Sequence, residues 1–242
     1  LVDLSGDGLP DVVMADETGA TYWRNLGDGR WAAPQPLRDL PFGSLGAPQV
    51  QFADMEGNGT ADLLIGTGAA GYFPNAAGMN WEEPVLYAGA LPFDLADPEL
   101  RLVDVDGDGR TDAIYSGADA FLVFFNLGRD GWSPDVLRIP RRSDAELWPD
   151  IYFSDPSIHF ADMTGDGLLD IVQVRSGEVA YWPNLGHGRW GARQVMAGAP
   201  VFPADYEPEQ LHLLDADGDG ITDVLLAGDG VIAVRPHYAD DP

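Results

Sequence analysis

The sequence predicts an all-β protein that is built from about five copies of one repeat. An acidic nine-residue segment with the consensus Asp-x-x-Gly-Asp-Gly-x-x-Asp begins at residues 3, 54, 104, 162 and 215, which are separated by 51, 50, 58 and 53 residues. Short runs rich in β-branched and aromatic residues flank the copies, and no long stretch has helical periodicity. A period near fifty residues that is composed of strands is typical of a β-propeller with four-stranded blades.

The first two strands of each repeat lie on either side of the acidic segment. Alternating runs with one polar position precede it in four copies, at 50–53, 100–103, 158–161 and 211–214. Short apolar runs follow it in all five copies, at 12–14, 63–65, 113–115, 171–174 and 224–226. Both patterns favour strands over helices. The acidic segment is therefore expected to be the loop that joins strand one to strand two.

The third and fourth strands flank a second recurrent turn. Aromatic pairs such as Tyr22-Trp23 and Tyr181-Trp182 lead into a turn in which an Asn precedes a Trp by six residues, at 25–31, 75–81, 126–132 and 184–190. Asn and Gly tolerate the left-handed backbone that tight hairpins need. A fourth strand and a Pro-containing connection follow each Trp, so each repeat supplies one four-stranded blade.

The predicted domain is a single β-propeller that spans residues 1–242. Its repeats are expected at approximately 1–47, 48–97, 98–155, 156–207 and 208–242, with a longer loop at 135–155 in the third. The first repeat has only Leu1 and Val2 ahead of its acidic segment, and the last repeat stops where strand four should begin. We therefore expect a fragment of a longer chain in which about five blades are represented.

The acidic loops have the ligand pattern of a calcium site. Calcium takes six to eight oxygen ligands, which positions 1, 3, 5 and 9 can supply from side chains and position 7 from its backbone carbonyl. Hard oxygen donors without Cys or clustered His favour calcium over zinc or copper. Up to five ions are predicted, with the Asp54–Asp62 loop weakest. The predicted ligands are Asp3, Ser5, Asp7, Leu9, Asp11, Asp54, Glu56, Asn58, Thr60, Asp62, Asp104, Asp106, Asp108, Arg110, Asp112, Asp162, Thr164, Asp166, Leu168, Asp170, Asp215, Asp217, Asp219, Ile221 and Asp223.

The charge of the chain agrees with this interpretation and excludes other functions. The formal net charge is −27, and 17 of the 40 acidic residues lie in the five loops, where self-repulsion favours bound cations. Such a charge argues against binding to nucleic acid or to anionic membranes. The alternative is that the loops are Asx-type turns without an ion. The chain has no cysteine, so disulfides and thiolate metal sites are excluded.

Three other groups of residues have two interpretations each. Trp31, Trp81, Trp132 and Trp190 could stack on sugar rings, but their fixed place after a turn favours packing. His159 and His212 occupy the same strand position as Gln51 and Arg101, either lining a polar channel or filling a tolerant polar position. Carboxylate pairs fall inside the loop pattern and no nucleophile motif occurs, so we expect no enzymatic activity.

The repeated motifs resemble known families. The acidic loops are similar to the FG-GAP/VCBS repeats of integrin α-subunit propellers and of exported bacterial proteins. The segments 160–172 and 179–191, with the turn Tyr-Trp-Pro-Asn-Leu-Gly-His-Gly-Arg-Trp at 181–190, resemble the propeller region of the B component of Tc insecticidal toxin complexes, the SpvB/TcaC-like group.

The resemblance implies a secreted, non-catalytic propeller with integrin-α-like calcium loops. In this family the propeller docks onto the toxin A component, and it gates a shell formed by the B and C components. The expected partners are therefore a toxin A component and the rest of a B/C shell, with no membrane insertion by this fragment. The alternative is a lectin or adhesin propeller that binds a glycan.

Overall fold

The computed structural model describes residues 2–16, 19–27, 30–37, 45, 47–76, 81–141, 149–203, 206, 210–214, 220–228 and 231–235. These residues form eighteen β-strands in five sheets and one short 3-10 helix, at Gly128–Asp130. The predicted all-β class is confirmed. Contacts divide the chain into two compact units: Leu1–Leu102, Asp108–Ala113 and Phe124–Val136 form one, and Val103–Gly107, Ile114–Val123 and Leu137–Pro242 form the other.

The first unit contains two antiparallel sheets. The first sheet has three strands in the order β1 (Val12–Asp16), β2 (Gly19–Trp23) and β3 (Gln35–Leu37). The second sheet has four, in the order β4 (Val50–Ala53), β5 (Asp62–Ile65), β6 (Gly71–Phe73) and β7 (Val85–Leu86). All four residues of β5 are buried, which explains why this strand is a continuous apolar run after its first residue.

The third sheet follows the same strand order. It contains β8 (Leu100–Val103), β9 (Asp112–Ser116), β10 (Ala120–Phe124) and β11 (Leu137–Pro140). The acidic segment that begins at Asp104 connects β8 to β9, and the turn that begins at Asn126 follows β10. Both recurrent segments therefore occupy the connections that the sequence assigned to them.

The second unit contains the remaining two sheets. The fourth sheet has the order β12 (Ile158–Ala161), β13 (Asp170–Arg175), β14 (Glu178–Trp182) and β15 (Gln194–Val195). The fifth has three described strands, β16 (Leu211–Leu214), β17 (Asp223–Gly228) and β18 (Val231–Arg235). In each pair the last residue of strand one lies opposite the final Asp of the loop, as for Ala53 with Asp62 and Ala161 with Asp170.

The predicted number of blades is wrong. About five blades of four strands would need twenty strands, whereas the described residues contain eighteen, enough for four such blades. Among the described residues, the second, third and fourth sheets have four strands and the other two have three. In the first sheet a single bridge between Val2 and Asp11 stands where the others have a first strand. The blades are those of a β-propeller. The number of acidic repeats is larger than the number of blades that the described strands can complete.

The core lies between strand faces and also reaches into the acidic loops. The second residue of each of the first four loops is apolar and almost fully buried: Leu4, Met55, Val105 and Met163. Around Met163, the buried side chains of Val172, Val174 and Tyr181 form part of one hydrophobic cluster. Each loop is therefore anchored by an apolar side chain as well as by its polar atoms. The single propeller over 1–242 and the repeat boundaries stay predictions.

Candidate functional site

In the four acidic loops that the structure describes in full, the first residue organises the loop backbone. In the fourth loop, Asp162 accepts hydrogen bonds from the backbone N–H groups of Gly165, at 2.7 Å, and Gly167, at 2.8 Å. Both glycines have positive φ, 75° and 88°, which side chains with a Cβ rarely adopt. Asp3 and Asp54 hold the equivalent pairs of amides in their loops. The carboxylate at position 1 is thus turned toward the loop interior.

The fifth residue closes the middle of the loop. Asp166 accepts a hydrogen bond from the N–H of Leu168 at 2.9 Å, and Asp7 accepts one from Leu9 at 3.0 Å. In the second loop the side-chain oxygen of Asn58 accepts the N–H of Thr60 at 2.9 Å. Because an amide oxygen replaces a carboxylate there without changing the turn, the residue at this position alters loop charge but not loop shape.

The final Asp of the first, second and fourth loops is buried and accepts hydrogen bonds from two backbone amides. Asp62 accepts the N–H of Met55 and the N–H of Asn75, both at 2.8 Å, and is fully buried. Asp170 accepts those of Met163 at 2.9 Å and Asn184 at 2.7 Å. Burial raises the pKa of both carboxyls to about 7, against the opposing effect of these N–H groups. The last Asp therefore ties the acidic loop to the Asn–Trp turn of its own repeat.

Among the described residues, the third loop brings three carboxylates together. Single oxygens of Asp104, Asp106 and Asp108 lie within 4.8 Å of one another. Calcium–oxygen distances of about 2.3–2.6 Å place two ligands on opposite sides of one ion about 5 Å apart, so this spacing fits a shared calcium ion. Residues at positions 1, 3 and 5 of this loop could hold the ion with carboxylate oxygens alone.

Arginine side chains bind some of the predicted ligands. The Arg24 guanidinium lies 3.0 Å from Asp7 Oδ2, and Arg129 lies 2.8 Å from Glu56 Oε1. Arg110 forms an ion pair with Asp108 inside the third loop. Asp166 forms no ion pair within the described part of the chain. The loops thus share a backbone geometry but differ in how much of their negative charge is already balanced.

The structure describes all the predicted ligands of the first four loops. In the fifth loop, Asp215, Asp217 and Asp219 lie outside the described residues, whereas Ile221 and Asp223 are buried. The metal-ligand role of the whole set stays a prediction. Sequence reasoning missed the anchoring role of the final Asp, although its place at the first residue of a strand is a signal that a buried, backbone-bonded side chain was needed.

Sequence reasoning also missed a contact between consecutive repeats. The Nδ2 amide of Asn75 donates to the carbonyl of Leu4 at 3.0 Å, and that of Asn126 donates to the carbonyl of Met55 at 3.1 Å. Asn184 reaches the carbonyl of Asp104 at 3.3 Å. Each of these Asn side chains, expected only to form a turn, also joins its repeat to the acidic loop of the preceding one. The constant Asn at this position was the available signal.

The tryptophans at the end of these turns differ in exposure. Trp190 is 5% exposed, and the Trp132 ring packs edge-on against Phe93 with ring centroids 4.7 Å apart. The Trp81 ring is stacked with that of Phe52. Only Trp31 of the four is among the exposed large hydrophobic residues that the structure describes, at 45%. Packing is therefore the main role of this position. The polar-channel interpretation of His159 and His212 stays a prediction.

The repeat geometry agrees with a family match. Residues 3–65 and 162–226, which include the first, second, fourth and fifth acidic loops, match the FG-GAP-like repeat. The chain belongs to the FG-GAP-like repeat family. FG-GAP propellers are in general non-catalytic structural or binding modules. No curated protein matches the sequence.

Solved structures of toxin complexes contain similar chains. A chain of the Photorhabdus luminescens Tc holotoxin pore is 28% identical, with a TM-score of 0.71, over 97% of this chain. A chain of the TcdB2–TccC3 complex is 21% identical, with a TM-score of 0.50, over 93%. This chain spans only 11% and 13% of those two chains. Its propeller is thus similar to one part of much larger toxin subunits.

A lectin shares the fold. The Agrocybe aegerita lectin that recognises non-reducing terminal N-acetylglucosamine is 20% identical, with a TM-score of 0.56, over 99% of this chain and 62% of its own. At this identity the similarity concerns the fold alone. Among the described residues, no helix has the length and apolar character needed to cross a bilayer.

Proposed function

We propose that this FG-GAP propeller is a non-catalytic docking and gating module of an extracellular Tc-toxin B-like protein. The observation that supports it is the 28% identity to a chain of the Photorhabdus Tc holotoxin pore over 97% of the sequence. Its acidic loops and turns present repeated surfaces rather than one catalytic cleft, which suits recognition of another protein. The expected partners are a toxin A component and the rest of a B/C shell, and the expected location is outside the cell.

The acidic loops would bind calcium in this function. Asp104, Asp106 and Asp108 are close enough to share an ion, and the five acidic loops hold 17 of the 40 acidic residues. Calcium would neutralise that charge and hold the strand-one-to-strand-two connections in place, which adds to the stability of the folded chain by linkage. Docking and calcium binding are separate parts of the proposal and need separate tests.

Binding to a purified A component tests docking directly. The full chain is immobilised and titrated with the A component in a bio-layer interferometry experiment. We expect saturable binding. A matched control is an FG-GAP propeller from an integrin α-subunit at the same density, which should not bind. If the A component binds neither propeller, in calcium or in chelator, the docking proposal is wrong. The calcium proposal would still have its own test.

Carbohydrate binding is the second candidate, favoured by the lectin fold and by exposed Trp31. A glycan array with wild type and Trp31→Ala distinguishes the two. Saturable binding of one sugar class that Trp31→Ala abolishes would support a lectin. No retained sugar together with binding to the A component would support docking.

A further inference from the structure

The second acidic loop has an unusual residue that contacts an unusual residue in the Asn–Trp turn of the third repeat. Among the third positions of the five loops, occupied by Ser5, Glu56, Asp106, Thr164 and Asp217, only the second has Glu. Among the fourth positions of the Asn–Trp turns, occupied by Asp28, Gly78, Arg129 and His187, only the third has Arg. In the structure the Arg129 guanidinium lies 2.8 Å from Glu56 Oε1. Two departures from the repeat pattern, 73 residues apart, thus form one ion pair.

The surroundings hold Glu56 in this pair. The Tyr72 hydroxyl donates a hydrogen bond to the same Oε1 atom at 3.1 Å, and Tyr72 is 1% exposed. Burial and the Glu56 charge raise the pKa of Tyr72, so its hydroxyl stays protonated and can donate. The side chain of Glu56 is 23% exposed, which screens it less than an ordinary surface carboxylate. Glu56 is therefore fixed by a buried donor and a cation from the next repeat.

We infer that Arg129 is the resident counter-ion of the Asp54–Asp62 loop and takes the place of a calcium ion there. The loop also has neutral Asn58 where the first, third and fourth loops have Asp7, Asp108 and Asp166. The loop has three acidic residues, as many as the fourth loop, but the guanidinium balances one of them and position 5 is neutral, so less ligand charge is left for a divalent cation than in the fourth loop. The joint between the second and third repeats would then be independent of calcium. This inference deepens the proposed calcium use of the remaining loops and rests on it.

Ion counting and melting of the full chain test this role. Arg129→Gln, measured by equilibrium dialysis with metal analysis, should bind one more calcium ion per chain than wild type and show a larger calcium-induced rise in Tm. Arg129→Lys keeps the positive charge and should keep the wild-type ion count. Arg193→Gln is the matched control, since Arg193 pairs with Glu178 at 2.6 Å, and neither residue belongs to an acidic loop.

Failure of the counter-ion role and failure of the proposed calcium binding give different results. If Arg129→Gln binds the same number of ions as wild type with the same Tm rise, the counter-ion role is wrong. If no variant binds calcium, wild type included, the proposed calcium use fails. The inference then depends on chelator-treated melts of Glu56→Gln, Arg129→Gln and the double variant. If each single variant lowers Tm by about 1–3 °C and the double variant lowers it no further, the ion pair is supported. If the two decreases in Tm add up in the double variant, the ion pair is overturned.

Discussion

The second and fourth acidic loops have one backbone and two charge patterns. In both, the first Asp holds two glycine amides and the last Asp holds a Met amide and an Asn amide at 2.7–2.9 Å. They differ at positions 3 and 5. The second has Glu56 and Asn58, with Glu56 paired to Arg129, whereas the fourth has Thr164 and Asp166.

This difference separates what shapes the loop from what charges it. Positions 1, 4, 6 and 9 set the fold of the loop through backbone hydrogen bonds and positive φ, and they are the same in both loops. Position 5 accepts one backbone N–H in both loops, through an amide oxygen in one and a carboxylate in the other, so its charge can vary without changing the turn. The charge of an acidic loop, and with it the affinity for a cation, can thus change while the loop still joins the same two strands.

The largest expected effect is that of calcium on the chain as a whole. Calcium at 100 times its Kd should stabilise the folded state by about 2.7 kcal/mol for each occupied site. Thermal melts of wild type with calcium and with excess chelator measure this. Asp166→Ala should reduce the gain, whereas Asn58→Ala in the second loop should leave it unchanged. Equal Tm values with calcium and chelator would remove calcium from the proposal.

The next effect concerns the buried Asp that both loops share. Asp62→Ala and Asp170→Ala each leave two backbone N–H groups without their acceptor in a buried site, so each should cost about 2–4 kcal/mol in the free energy of unfolding. Urea unfolding in chelator measures the anchor without calcium. Asp166→Ala, an exposed residue, is the control and should cost less than about 1 kcal/mol. A small loss for Asp170→Ala would show that the final Asp is only a metal ligand.

A smaller effect is expected at the contacts between repeats. Asn75→Ala removes the donor to the carbonyl of Leu4, and Asn184→Ala removes the donor to the carbonyl of Asp104. Each should lower the free energy of unfolding by about 1–2 kcal/mol, because this bond is lost together with a second one, from Asn75 Nδ2 to the carbonyl of Ala61 at 3.2 Å or from the N–H of Gly186 to Asn184 Oδ1 at 2.9 Å. The Asn75 bond is shorter, at 3.0 Å against 3.3 Å, so its loss should be the larger. The reverse order in urea unfolding would contradict this reasoning.

A further expected effect is the pH dependence of the anchors. The folded-state pKa of Asp62 and Asp170 is about 7, above the ordinary value of 3.8. Each group therefore contributes stability that is fully present below about pH 4 and is lost as the pH rises through about 7. In chelator, the difference in unfolding free energy between wild type and Asp62→Asn should shift in favour of wild type as the pH falls from 8 to 5. A pH-independent difference would contradict the raised pKa.

The sequence was sufficient for the strands and for the connections that hold the acidic loops. Period-two runs such as Ile158–Ala161 and buried runs such as Asp170–Arg175 are local signals, and both are strands. The number of blades was overestimated, because five acidic segments do not guarantee five sets of four strands. Counting a loop motif measures how often one connection recurs and says nothing of the strands that lie beyond it.

The sequence predicted which residues form the acidic loops, but it did not predict the hydrogen bonds and ion pairs that these residues make with distant parts of the chain. The residues at positions 1 and 5 are where their spacing placed them, since the turn is local. The ion pair between Glu56 and Arg129 and the bond from Asn75 to Leu4 join distant residues, so no local pattern predicts them. The final Asp was assigned as a ligand because its type fits calcium, but its burial depends on tertiary packing.

The side-chain bonds from Asn75 and Asn126 to the preceding acidic loop make two successive junctions between repeats equivalent. Asn75 and Asn126 both reach back 71 residues, to the second residue of the loop that precedes their own. The Asn and the carbonyl that accepts its hydrogen bond occupy equivalent positions in successive repeats. An in-frame duplication or loss of one complete repeat would therefore form the same hydrogen bond between the two repeats that become adjacent. Such a sequence can lengthen or shorten by whole units during evolution without any junction being invented anew.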